Sequence, residues 1–312
     1  EKAFRPVREL IKQAGNSLQA LKPCFMMSPL SLAKFVPAQS LSFDLLVVDE
    51  ASQMRPEDAL GGLLRARQVI VVGDPRQLPP SDFFQRVSAD AQSLDGAADD
   101  DVEDEDDESI LEACQKSFRN LRQLKWHYRS RCESLIAFSN RHIYAPEGRA
   151  LITFPSSRPG SFSIDRIRLK GSFLSGRSAG SGGAGGGVNA AEAQRIAEEA
   201  VRFMRENAKL ADPPSLGLIA MNAAQAELIQ EELRQRAAGD DLVDEYRLNV
   251  ARMGEPLFVK NLENVQGDER DYILISMTYG PRPGETVVLN RFGPITKKQG
   301  HRRLNVLFTR AR

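Results

Sequence analysis

An α/β architecture built on two parallel sheets is what this sequence predicts, and three observations predict it. Continuous apolar runs of strand length stop abruptly at acidic or turn residues, as in Phe43–Val48 before Asp49-Glu50 and Gln68–Val72 before Gly73-Asp74. Such runs suit central parallel strands covered on both faces, whereas half-exposed strands alternate. Helical stretches recur between the runs, and strand–helix alternation is the pattern of a parallel sheet. Finally, 312 residues with 41% hydrophobic and 27% charged side chains have globular composition and length for two ordinary domains.

In order along the chain, residues 4–20 read as a helix and Cys24–Ser28 as a short strand. Phe43–Val48 and Gln68–Val72 supply two central strands, with helical stretches at Glu57–Arg65 and Ser109–Phe118 between and after them. A boundary is expected near residue 119, giving units 1–118 and 119–312. In the second unit Ser134–Ile143 reads as a helix, and Ser161–Leu169 alternates as a strand does. Asn189-Ala-Ala-Glu192 has the spacing of a capping box and opens a helix to about Glu206. Leu216–Met221 reads as a strand, Ala223–Ala237 as a helix and Tyr272–Met277 as a buried strand, and a last helix begins near Arg302. Gly171–Gly187, containing Gly180-Ser-Gly-Gly-Ala-Gly-Gly-Gly187, is a flexible coil by composition.

Charge and composition narrow the function. No apolar run reaches the roughly 18–20 residues that span a bilayer, so no membrane partner is expected. The chain starts without a charged-then-apolar leader, and Cys24, Cys114 and Cys132 lie far apart. Reduced thiols in a cytoplasmic protein are the expectation. The three cysteines and His127, His142 and His301 show no metal-ligand spacing. The formal net charge is zero, but residues 99–108 hold nine carboxylates and read as a solvated loop. The rest of the chain keeps 33 carboxylates against 42 basic residues, a surplus of nine that suits a phosphate backbone.

The chemistry sits at the strand ends. Val47-Val48-Asp49-Glu50-Ala51-Ser52-Gln53 is a Walker B arrangement. There Asp49 can hold Mg²⁺ through water beside a nucleotide's phosphates, and Glu50 can take the proton from attacking water. The other end is Val71-Val72-Gly73-Asp74-Pro75-Arg76-Gln77-Leu78-Pro79-Pro80. Gly73 permits a tight turn, and the prolines stiffen a loop that can aim the Gln77 amide at a γ-phosphate. A capped helix start and a rigid ligand-free turn are the plainer alternatives for each loop alone.

Together the two segments resemble motifs II and III of superfamily 1 helicases, in the branch typified by the nonsense-mediated-decay helicase. Four further blocks agree in order. Leu124-Lys-Trp-His-Tyr-Arg-Ser-Arg131 resembles motif IV, and Gly217-Leu-Ile-Ala-Met-Asn-Ala-Ala-Gln225 is similar to the strand-turn-helix that follows. Asn264-Val-Gln-Gly-Asp-Glu-Arg-Asp271 resembles motif V, with Gly267 and Glu269 inside it, and Arg302–Arg310 resembles motif VI. Cys24-Phe-Met-Met-Ser-Pro-Leu-Ser31 is similar to a block of very large bacterial helicases, some of which carry a Vsr-like nuclease domain further on.

The resemblance implies two RecA-like lobes, the first incomplete at its N-terminus, with ATP hydrolysed between them. It implies Arg129 and Arg310 as arginines reaching the γ-phosphate, a task that suits a fixed, always-charged fork of donors. Tyr128 would stack on adenine, while Gly73, Asp74, Gly267 and Glu269 would line the nucleotide. Ser28, Pro29 and Asn222 would touch the nucleic-acid backbone. His127 stands where glutamine is usual and is expected to hydrogen-bond without catalysis; Trp126 is expected in the core. The motif G-x-x-x-x-G-K-[ST] is absent, since no glycine is followed by lysine; the expectation is that the P-loop lies upstream. The function expected is the motor of an ATP- and Mg²⁺-dependent helicase or translocase on single-stranded or duplex nucleic acid. DNA is favoured over RNA, and a further nuclease domain is expected in the longer protein. The rivals are an inactive scaffold that binds nucleic acid or a protein partner, and a two-metal nuclease.

Overall fold

The structure is a computed structural model and describes residues 5–80, 108–155, 163–175, 187–290, 292–296 and 299–312. All of the acidic run except Glu108, and residues 176–186 of the glycine-rich stretch, lie outside the described residues. The chain divides into two compact units, residues 1–92 with 103–122, and residues 93–102 with 123–312.

In the first unit, α1 (Val7–Leu21) and α2 (Pro29–Phe35) precede β1 (Phe43–Val48), α3 (Pro56–Leu63), β2 (Ala66–Val71) and α4 (Ile110–Ser117). β1 and β2 pair in parallel with Val47 opposite Ile70 and Val48 opposite Val71. Their inward residues Leu46, Val48, Val69 and Val71 pack with Ala59 of α3 and Ile110 and Leu111 of α4. Burial on both faces was the expectation for these strands; the other face, with Leu45, Val47 and Ile70, is exposed. A separate cluster of Ile11, Val36 and Leu41, with Phe25 and Phe43 against it, fixes α1 beside the sheet. α4 begins with a full capping box, Ser109 accepting from Glu112 N at 3.2 Å and Glu112 accepting from Ser109 N at 3.4 Å.

The second unit contains α5 (Glu133–Ser139), α6 (Ala190–Asn207), β3 (Leu216–Ala220), α7 (Ala223–Ala237), α8 (Asp241–Arg252), β4 (Phe258–Asn261), β5 (Tyr272–Ser276) and α9 (Gly300–Phe308). Its sheet has the order β4-β3-β5, both pairs parallel, with Leu218 facing Leu274 and Gly217 facing Phe258. Every residue of β3 is buried, the burial its continuous apolar run predicts. Ala193, Ala197 and Met204 of α6, Ile229 and Leu233 of α7, and Val243 and Tyr246 of α8 form one core with Leu216 and Leu218. The fold class is therefore α/β with parallel sheets, of the RecA-like kind.

Two expected strands are absent. Residues 24–28 form no strand; Pro23 offers no donor, Met26 is fully exposed, and Ser28 is spent as the cap of α2. Residues 163–169 of the expected strand Ser161–Leu169 form no strand, and Ile164, Ile167 and Leu169 are exposed. Alternation alone does not provide a partner. Asn189 caps α6, accepting from Glu192 N at 3.3 Å, yet Glu192 does not close the expected capping box. Its carboxylate accepts from the Asn189 side-chain amide at 3.3 Å rather than from the backbone N–H, and from Ser276 Oγ at 2.6 Å and Thr278 N at 2.7 Å, tying α6 to the end of β5.

Candidate functional site

In the first unit the two parallel strands deliver Asp49-Glu50 and Gly73-Asp74 to the same sheet end. Ala51 N donates to Val72 O at 2.9 Å and Val72 N to Val48 O at 2.8 Å, locking the two turns together. Gly73 sits so close that a Cβ there would lie 3.0 Å from Ser52 N and 3.1 Å from Ala51 N. Close approach, rather than an unusual φ, is why this position takes glycine. Asp49 and Glu50 are exposed, and Asp49 Oδ1 accepts from Glu50 N at 2.9 Å. Glu50 adopts a left-handed conformation, φ 51° and ψ 38°, and its carboxylate accepts from Gln53 Nε2 at 3.3 Å. Ser52, which the sequence reading did not single out, is buried beside this turn with its hydroxyl unpartnered. The second turn is fastened by Asp74, whose carboxylate accepts from Arg76 N at 2.8 Å and Gln77 Nε2 at 3.3 Å. Ser28 and Pro29 form the start of α2, where Ser28 Oγ accepts from Ser31 N at 3.2 Å.

In the second unit three segments distant in sequence meet. Arg129 Nε donates to Glu269 at 2.6 Å, and its Nη1 lies 3.4 Å from Thr309 O, 180 residues away. Arg310 donates to Val306 O at 2.7 Å, Asp268 O at 3.3 Å and Thr309 Oγ1 at 2.8 Å. It is 1% exposed, and these three acceptors all belong to its own unit. Gly267 takes φ +85° in the turn that carries Glu269, a conformation glycine adopts without strain.

His127 shapes the same region. Its Nε2 accepts from Ser130 N at 3.2 Å and lies 2.8 Å from Ser130 Oγ, so the imidazole closes the turn that displays Tyr128 and Arg129. Burial lowers its pKa and the Arg129 charge lowers it further. Tyr128 is 74% exposed. Trp126, expected in the core, is half-exposed and stacks on Phe154; its segment pairs with Ile152 in an isolated parallel bridge.

Beneath the convergence lies an ion-pair network. Arg312 donates to Glu255 at 2.5 Å and Asp271 at 3.2 Å, with Arg131 on the other Asp271 oxygen at 3.3 Å. Burial works to raise the Asp271 pKa, but the Ser215 N–H and hydroxyl, Arg312 and Arg131 together hold it below its ordinary value. Asn222 lies apart from this cluster. It caps α7, accepting from Gln225 N at 2.8 Å while its amide donates to Gly187 O at 2.9 Å.

Among the described residues no group of three or more His, Cys, Asp or Glu side chains could hold a metal ion. Mg²⁺ carried with phosphates needs only one or two carboxylates and water. Asp49, exposed at a strand end with one oxygen committed, fits that modest requirement. No helix of the described residues is long and apolar enough to cross a membrane.

Two family models, each described as an AAA domain, match residues 107–312 and 26–83. An uncharacterized ATP-dependent helicase of Mycoplasma genitalium is 34% identical over 306 residues, covering 96% of this chain and 25% of that protein. Its homologue in Mycoplasma pneumoniae is 35% identical over 302 residues, covering 95% and 24%. The DNA replication ATP-dependent helicase/nuclease DNA2 of Saccharomyces cerevisiae is 35% identical over 103 residues, covering 33% of this chain and 6% of that protein. The chain thus spans about a quarter of the length of the two mycoplasmal relatives.

Proposed function

This chain belongs to the AAA-domain family whose model matches residues 107–312, and from that premise we propose that it is the motor core of a superfamily 1 helicase, an enzyme that hydrolyses ATP to move along or unwind nucleic acid. The observation that carries the reading is the convergence of Arg129, Glu269, Thr309 and Arg310 from three separate segments. A γ-phosphate is the anion for which Arg129 would exchange Glu269, because the planar fork accepts either oxyanion. In the first unit Glu50 orients and deprotonates the attacking water, and Gln77 senses the γ-phosphate from a turn that Asp74 holds in shape. Mg²⁺, held through water by Asp49, neutralises charge on the phosphate oxygens when bound.

The finer assignments belong to the same proposal. The motif order supports the nonsense-mediated-decay branch, and the block Cys24–Ser31 supports kinship with the very large bacterial helicases, some of which carry an added nuclease domain. DNA is favoured as substrate, in keeping with the DNA replication role in the name of the yeast relative. Asn222, Ser28 and Pro29 are the residues proposed to contact the nucleic-acid backbone. The phosphate-cradling loop is supplied by sequence outside these 312 residues.

Steady-state ATP hydrolysis in the full-length protein tests the proposal. Arg129→Ala and Arg310→Ala are each expected to lower kcat by roughly 10³–10⁵-fold, the range for a lost arginine finger, and to leave single-strand binding nearly intact. Arg310→Lys is expected to rescue poorly, since a point charge does not reproduce the fork. The 312-residue chain alone is expected to hydrolyse almost no ATP. Wild-type turnover in Arg310→Ala, or robust hydrolysis by the chain alone, would overturn the assignment. Tight single-strand binding with no turnover in the full-length protein would replace the motor with a scaffold.

A further inference from the structure

Two extended segments of the second unit lie side by side. His127 N donates to Ile152 O at 2.9 Å and Ile152 N to Lys125 O at 2.7 Å, a parallel bridge between Trp126 and Ile152. Extended backbone sends alternate side chains to one face. Leu124, Trp126 and Tyr128 from one segment and Ile152 and Phe154 from the other are all exposed. Three of these are aromatic and touch. Trp126 and Phe154 are stacked, with centroids 5.4 Å apart and planes 25° apart, while Tyr128 and Phe154 are 5.6 Å apart and tilted by 44°. Phe154, 52% exposed, is the middle ring of a row of three.

Contiguous exposed apolar surface of this kind marks a place where something binds. A planar nucleobase fits it best. The row offers ring faces, and Arg129, next to Tyr128, carries a partly exposed guanidinium where a phosphate chain leading away from the base would need a cation. No Asp or Glu occurs from Arg119 through Cys132; the carboxylate on the Arg129 guanidinium is Glu269 at 2.6 Å, which a phosphate would have to displace.

We propose that Phe154 is the positioning residue of a nucleobase platform, fixing the plane that Tyr128 offers to the adenine of ATP. The proposal rests on the reading of Tyr128 as the base-stacking residue and adds the ring that orients it. A mostly exposed tyrosine samples several rotamers, and ordering it at the moment of binding costs affinity. Phe154 orders it beforehand. Aromatic pairs prefer tilted or offset contact at centroid separations of 4.5–7 Å, the geometry seen on both sides of Phe154. Stacking on a ring face reads no hydrogen-bonding edge, so the platform discriminates weakly among bases.

The test is calorimetric titration of the full-length protein with ATP and, separately, with inorganic tripolyphosphate, which lacks a base. Phe154→Ala is expected to weaken ATP roughly two- to tenfold and to leave tripolyphosphate unchanged. Phe154→Tyr, which keeps the ring, is expected to restore wild-type affinity. Tyr128→Ala is expected to weaken ATP at least as much, and adding Phe154→Ala to it is expected to cost nothing more. If Tyr128→Ala leaves ATP binding unaltered, the base-stacking premise fails and takes the proposal with it. A Tyr128 effect with no Phe154 effect overturns the proposal alone. Equal loss of ATP and tripolyphosphate in Phe154→Ala would assign Phe154 to general folding instead. Loss confined to a single-stranded oligonucleotide would give the rings to nucleic-acid bases and also overturn it.

Discussion

Glu50 holds a left-handed backbone, φ 51° and ψ 38°, that costs an L-residue with a side chain about 1–2 kcal/mol. Strain of this kind persists where function uses the geometry, and Glu50 is the carboxylate proposed to activate water. Glu50→Gly is therefore expected to hold or raise the melting temperature while abolishing hydrolysis, and Glu50→Gln to abolish hydrolysis with no stability gain. A clear fall in stability for Glu50→Gly would mean that the turn is unstrained. His127 gives a pH signature. Its pKa is lowered by burial and by Arg129, so the unfolded chain takes up this proton first as pH falls. The neutral imidazole contributes its stability fully above the unfolded value of about 6.5, and that contribution is lost as pH drops below it toward the folded pKa. Thermal melts at about pH 7.5 and 5.5 should show a smaller pH-dependent loss for His127→Gln than for wild type; an identical loss would remove His127 as the cause. The residue types here were legible, since Asp49-Glu50, Gly73, Tyr128-Arg129 and Arg310 stand out in the chain. Their environments were not. Nothing local in the sequence says that Arg310 is 1% exposed, or that Phe154 backs Tyr128, because both follow from pairings between distant segments.

Helix α7 starts where β3 ends, and Asn222 makes that junction with one acceptor on Gln225 N and one donor on Gly187 O. Losing an N-cap of this type costs about 1 kcal/mol, and the second hydrogen bond adds about 0.5–1.5 kcal/mol. Asn222→Ala is therefore expected to destabilise the second unit by about 1.5–2.5 kcal/mol in urea unfolding. Asn222→Asp is expected to recover the cap and still weaken single-strand binding, because it adds a negative charge. Unchanged stability in Asn222→Ala would free this side chain for nucleic acid alone. Elements with one strong local signal were readable. β1, β2, β3 and β5 are each built on a run of apolar residues, while α6 and α7 begin at asparagine caps. Elements whose signal is dilute were missed. β4, Phe-Val-Lys-Asn, is four residues long and half polar, and α8 follows a capping aspartate but is crowded with charges. Both owe their form to β3 and the core under it.

The two units differ in how much apolar surface they enclose. Among the described residues the first has two strands that leave Leu45, Val47 and Ile70 exposed, whereas the second surrounds a strand buried at every residue with three helices. Local stability follows such burial. Hydrogen exchange is expected to protect the β3 amides by orders of magnitude more than those of β1 and β2, and heating is expected to lose the first unit before the second. Uniform protection across both sheets would contradict that ordering. The same parallel topology bears on synthesis. Leu218 must find Leu274, and Arg270 must pair with Ala311, so neither contact is available from neighbours just made. A ribosome delivering this chain exposes β3, entirely apolar, before either of its flanking strands has been translated. Until β4 and then β5 emerge, that strand is a ready target for a chaperone or for another nascent copy, and a pause between codons 220 and 272 lengthens the hazard.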